Sequence, residues 1–84
     1  MMNKYLVTIV ENNQPTNTQE YDNLEAAVYA FNEANQMAIM ENPGTKHRIL
    51  EGAGNILKRT VFYKQTSQDI QASVTLYFKN GKEA

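Results

Sequence analysis

Residues 22–41, DNLEAAVYAFNEANQMAIME, decide the fold because they carry the periodicity of one long helix. Asp22 is a candidate N-cap, and Glu25, three residues later, completes a pattern that resembles a capping box. Asn42-Pro43-Gly44 ends the segment, because proline disfavours a helical conformation in the residue before it. The pattern predicts a helix from residue 23 to residue 41, about 28 Å long.

Two sides of this predicted helix are apolar. At about 100° per residue, one arc forms the expected core face, with Asn35 inside it as a polar residue that needs a hydrogen-bond partner where it is buried. The apolar members of that arc are Leu24, Ala27, Val28, Phe31, Ala34, Ala38 and Ile39. The opposite side, which we name the outer stripe, consists of Ala26, Tyr29, Ala30, Glu33, Met37 and Met40. A helix that is apolar on two sides usually has something packed against both.

The rest of the chain predicts strands. Residues 4–11 read as a central strand, and residues 46–51 and 56–64 read as a hairpin around Gly52-Ala53-Gly54-Asn55. Residues 70–79 alternate strictly, with Ile70, Ala72, Val74, Leu76 and Phe78 pointing inward. The polar segment 12–22, which contains Pro15, is predicted to be a long loop.

The order of these elements, β-α-β-β-β, predicts an α+β fold. A single long helix would pack on a three- to four-stranded, mostly antiparallel sheet, and residues 1–84 would form one small domain. Apolar residues make up 42% of the 84 residues and charged residues 20%, a balance typical of a globular chain.

The chain has no cysteine, which excludes a disulfide scaffold and any zinc site built on thiolates. The apolar run of residues 6–10 is too short for a signal-peptide core or a membrane span. We therefore expect a cytoplasmic protein without a membrane partner.

Residues 1–45 are predominantly acidic, and residues 46–64 are predominantly basic. The two parts can balance each other within one fold. They can also pair between two copies, or the basic part can present its surface to an anion.

Chemistry-bearing patterns are scarce. His47 is the only histidine, and no cysteine or carboxylate cluster accompanies it as a metal ligand. Gly52-Ala53-Gly54 lacks the lysine ending and the following helix of a phosphate loop, so a hairpin turn explains it. Capping explains Asp22 and Glu25, and Ser67 and Ser73 have no activating pattern. The sequence predicts no enzyme, no metal site and no cofactor.

The outer stripe is the stronger candidate for function. Its alanines let another backbone approach, methionine adapts to irregular surfaces, and tyrosine adds area with a polar tip. The alternatives are cover by the 12–22 loop and plain exposure. The resulting prediction is a non-enzymatic protein–protein interaction module, which forms a homodimer or binds a protein target. A small accessory or inhibitor protein of a phage or mobile element would suit so short a domain.

The second candidate is the sheet face away from the helix. Where strand 56–64 turns its even-numbered side chains outward, aromatic rings lie among cations, an arrangement that can stack bases and neutralise phosphates. The residues of this nucleic-acid alternative are Lys58, Phe62, Lys64, Tyr77 and Lys79. The sequence pI of about 5.7 weakens this alternative.

Overall fold

The computed structural model describes residues 4–12, 14–52 and 54–79. Five strands form one antiparallel sheet in the order β2-β1-β5-β4-β3, and one helix packs on it. The elements are β1 (Lys4–Glu11), β2 (Gln14–Tyr21), α1 (Leu24–Glu41), β3 (Thr45–Glu51), β4 (Ile56–Lys64) and β5 (Ile70–Lys79).

The α+β class and the single helix on an antiparallel sheet are confirmed, but the strand count and the element order were wrong. The order is β-β-α-β-β-β, and the additional strand is β2, from the segment predicted as a loop. Glu11 pairs directly with Gln14, and Asn12 has a φ of 53°, which asparagine tolerates in a tight hairpin turn. An edge strand that is exposed on both faces needs no apolar alternation, so β2 stays polar.

The ends of α1 are fixed by two asparagines. Asn23, and not the predicted Asp22, is the N-cap: its Oδ1 accepts a hydrogen bond of 2.8 Å from the backbone N–H of Ala26. At the other end, Asn42 Nδ2 donates to the carbonyl oxygen of Ala38 at 2.8 Å. Gly44 follows with a φ of 83°, the left-handed conformation that glycine adopts without strain.

The core lies between α1 and the central strands β1 and β5. Its buried members are Val7, Ala27, Phe31, Ala34, Ala38, Phe62, Ala72, Val74 and Leu76. Three of the four helix residues in this set are alanines, which let α1 approach the sheet closely. The buried set thus confirms the centre of the predicted core face of the helix.

The flank of α1 that points toward β3 and β4 is less covered than predicted. Leu24, Val28 and Ile39 were expected in the core, but each remains 36–46% exposed. The cause is that α1 packs on β1, β5 and β2, and the sheet extends beyond it. On the same flank, Asn35 Oδ1 is buried without a hydrogen-bond partner among the described residues.

Alternation along the strands divides the sheet into two faces. Tyr5, Val7 and Ile9 of β1 face the helix, and the register places the alternate residues of every strand on the opposite side, which we name the far face. No helix of the described chain covers the far face. Its members include Leu6, Thr8, Thr75, Tyr77, Arg59, Val61 and Arg48.

Candidate functional site

The outer stripe is not covered by the segment 12–22. Tyr29 is 67% exposed, Met37 is 57% exposed and Met40 is 79% exposed. Residues 14–21 lie instead at the edge of the sheet as β2. Ala26 and Glu33 are exposed as well, and Ala30 is half-buried against the core. The segment predicted as a loop therefore does not cover the apolar outer side of α1.

One side of the outer stripe borders a groove with a volume of about 460 Å³, which we name the α1–β2 groove. The helix wall consists of Ala26, Tyr29, Ala30, Glu33, Ala34 and Met37. The floor comes from Val7 and Ile9 of β1, whose side chains point up from the sheet. The lining is mainly apolar, and the volume is in the range of sites that hold a ligand or a group of partner side chains.

Strand β2 supplies the far wall of the groove. Its residues Asn17, Gln19 and Tyr21 pair with Ile9, Val7 and Tyr5, so they point to the helix side with those residues. Sequence reasoning missed these three residues because the segment was read as a loop. Asn12 was the available signal, since asparagine tolerates the positive φ that a tight hairpin turn requires.

Charge around the groove is negative on the helix. Residues 24–41 contain Glu25, Glu33 and Glu41 and no lysine, arginine or histidine. Glu33 lines the groove itself. At the base of the helix, Lys4 Nζ lies 3.5 Å from Glu20 and 3.8 Å from Asp22, so this lysine is engaged with two carboxylates. A partner that brings positive charge would meet a complementary surface.

The residues of the nucleic-acid alternative do not lie together. The alternative required Phe62 to point outward, but it is 1% exposed and belongs to the core. The register places Lys58 and Lys64 on its side of the sheet, whereas Tyr77 lies on the far face. The side chain of Lys79 falls outside the described part of the chain. This correction follows from the pairing of Phe62 with Ala72, an inward-facing residue of β5.

The far face nevertheless carries cations and rings, which come from Tyr77 and from the odd-numbered residues of β4 with their partners on β3. Lys46 and Arg48 on β3 are exposed, and Arg59 and Tyr63 on β4 are half-buried. The guanidinium carbon of Arg48 lies 5.7 Å from the centre of the Tyr63 ring. Ile70 was expected inward but is 55% exposed, and it lies where the register of β4 against β5 shifts, between Phe62 and Tyr63.

The features still to be placed are His47, possible metal ligands and the helix as a possible membrane span. The ring of His47 lies 5.6 Å from the ring of Phe62, at the edge strand β3. Within residues 4–12, 14–52 and 54–79, no three histidine or carboxylate side chains gather as metal ligands would. No helix within those ranges combines the length and the apolar composition that crossing a bilayer requires.

No protein-family model matches this chain, and neither the curated proteins nor the solved structures contain a significant match.

Proposed function

We propose that the chain is a non-enzymatic protein-binding module whose α1–β2 groove receives a basic amphipathic helix of a partner protein. The observation that supports the proposal most directly is the groove, which joins an uncovered apolar stripe to a floor of core residues. Solvent contact of this much adjacent apolar surface is unfavourable, and binding of a partner would relieve it.

The width of the sheet leaves room for a second helix. Strands lie about 4.8 Å apart, so the five strands span roughly 20 Å, and one helix is about 10 Å wide. Helix α1 packs mainly on β1 and β5 and less on β2, and the space between α1 and β2 remains open as the groove. A partner helix 8–10 Å from α1, the usual interaxial distance, would lie above β2. Ala26 and Ala30 allow the close approach, and Met37 and Tyr29 would cover its apolar face.

The negative charge of α1 favours a partner helix that is basic. Glu33 lines the groove, Glu25 and Glu41 lie on the same helix, and no cation of α1 offsets them. A helix with lysine or arginine beside its apolar face would therefore gain favourable electrostatic contacts. Two copies of α1 in the same arrangement would bring their Glu33 carboxylates together, so a basic partner is favoured over self-association.

Photo-crosslinking in cells that express the protein tests this assignment. We would place p-benzoylphenylalanine at residue 37 in the groove and, as the matched control, at exposed residue 36, which does not line it. The expected result is a crosslinked partner from residue 37 only, attached through a segment rich in lysine and arginine. Crosslinks of equal yield from both positions, or an acidic attached segment, would contradict the proposal.

Two charge variants then test the purified pair. Met37→Lys places a positive charge in the groove, where it would repel a basic partner. Gln36→Lys adds the same charge one residue away, at a position that does not line the groove. We expect about tenfold or greater weakening for Met37→Lys and less than threefold for Gln36→Lys. Light scattering of the isolated protein completes the test. A dimer that Met37→Lys dissociates would identify a second copy as the occupant and overturn the basic-partner assignment.

A further inference from the structure

We infer that the far face binds single-stranded nucleic acid along β4, at a site distinct from the α1–β2 groove and independent of the function proposed for it. The juxtaposition that carries this inference is a row of two rings with two guanidinium groups between them, on a sheet face that no described helix covers. Its members are Tyr63, Arg48, Arg59 and Tyr77, with Lys46 at its edge.

Most carboxylates of the described helix and strands lie on the helix side of the sheet. On the helix side, Lys58 and Lys64 are accompanied by a larger number of carboxylates: Glu11, Glu25, Glu33, Glu41 and Glu51. On the far face, the strand residues of the described chain include one carboxylate, Glu20, and it is 3.5 Å from Lys4 at the opposite edge. The far-face cations Lys46, Arg48 and Arg59 therefore have no carboxylate beside them among the described far-face strand residues of β3, β4 and β5, and the complementary ligand is an anion.

The spacing fits a short stretch of nucleic acid. Tyr63 pairs with Ile70, and Tyr77 lies seven positions further along β5, which corresponds to roughly 20 Å along the strand. Arg59 lies between the two rings, where its Nε–H donates to Thr75 Oγ1 at 3.1 Å. That bond uses one of the five N–H donors of the guanidinium and fixes its position, so the other donors can contact phosphate.

The rings supply the second part of the recognition. Tyr63 is held on one side by the Arg48 guanidinium, and both tyrosines are half-buried, so their orientation costs little conformational entropy on binding. Stacking on such rings tolerates any base, and single strands expose the bases that a duplex hides. A single strand of four or so nucleotides therefore fits the far face better than a duplex or a free phosphate.

Fluorescence anisotropy with labelled 15-mers of uridine and deoxythymidine tests the inference, from low to physiological salt. Lys46→Glu reverses an exposed charge on the far face, and Lys58→Glu makes the same change on the same hairpin but on the helix side. We expect Lys46→Glu to weaken binding by about fivefold or more at low salt. It should also reduce the slope of log K against log salt by about 0.7 per lost phosphate contact. Lys58→Glu should change affinity by less than twofold.

Tyr77→Leu tests the stacking separately from the charge, and Tyr77→Phe serves as its conservative control. Because a stacked base would be lost, we expect the oligonucleotide affinity to decrease about 5- to 100-fold for Tyr77→Leu. The affinity of Tyr77→Phe should be close to that of the unmodified protein. The inference is overturned when neither oligonucleotide binds at low salt, or when Lys46→Glu and Lys58→Glu weaken binding equally. It is also overturned when heparin competes fully and Tyr77→Leu has no effect, because the face would then be a general polyanion contact.

Discussion

Arg59 and Thr75 are joined across β4 and β5 by a hydrogen bond of 3.1 Å from Nε–H to Oγ1. Thr60, the residue after Arg59, is as deeply buried as Thr75 but points to the helix side. Its Oγ1 has no hydrogen-bond partner among the described residues. Two buried threonines on neighbouring strands therefore differ in whether the hydroxyl group is satisfied.

This difference predicts opposite effects of one substitution. Thr75→Val removes the acceptor and leaves a half-buried guanidinium N–H without its partner, so we expect a loss of about 1–2 kcal/mol in the free energy of unfolding. Thr60→Val replaces an unsatisfied buried hydroxyl with a methyl group of similar size, so we expect a gain of up to about 1 kcal/mol. Urea denaturation followed by circular dichroism measures both. An equal loss from the two variants would show that Thr60 has a partner.

The N-terminus of α1 gives a second prediction. Asn23→Ala removes the acceptor that caps the Ala26 N–H at 2.8 Å and should cost about 1 kcal/mol. Asp22→Ala removes an exposed carboxylate 3.8 Å from Lys4, and exposed ion pairs of this kind are worth less than about 1 kcal/mol. The same denaturation measurement separates them. A larger loss from Asp22→Ala would restore the capping pattern that the sequence predicted.

Much of the fold could be predicted from the sequence because the patterns that indicate β1, β5 and α1 each lie within one short segment. Strict alternation in residues 70–79 and the apolar strand at residues 4–11 predicted β5 and β1 with the bounds that the structure has. Strand β2 was missed because a strand at an edge, exposed on both sides, leaves no burial pattern in its sequence. Pro15 also argued against it, although proline is tolerated near the start of an edge strand.

The candidate site could be predicted only in part, because one wall of it depends on strand pairing and not on a local pattern. The outer stripe came from helical periodicity alone, and the structure rules out its cover by residues 14–21, which form β2 at the edge of the sheet. The groove needs Gln19 and Asn17 beside the helix, a relation set by strand pairing that sequence spacing does not encode. The side of Phe62 depended on the register between β4 and β5, where a one-residue change exchanges the two faces.

Unequal helix coverage predicts unequal hydrogen exchange along the sheet. Strand β3 is an edge strand with exposed residues on both faces, and α1 packs on β1, β5 and β2 instead. Regions with few buried apolar contacts open locally at low free energy. Native-state exchange followed by NMR should therefore show amides of β3 that bond to β4 exchanging at least about tenfold faster than those between β1 and β5. Equal protection in both places would indicate that the sheet opens only as a unit.

The β3–β4 hairpin and the helix C-terminus depend on glycines for different physical reasons. A Cβ at Gly52 would collide with the backbone carbonyl of Ile56, whereas Gly44 has open space around it but a φ of 83°. Asparagine adopts such a positive φ more readily than alanine does. We therefore expect Gly44→Asn to cost less than about 0.5 kcal/mol and Gly44→Ala about 1 kcal/mol. At Gly52 both substitutions should cost about 2 kcal/mol, because the obstacle is the volume of Cβ. Thermal denaturation of the four variants checks the pattern. Rescue by asparagine at Gly52 would assign its requirement to backbone conformation instead.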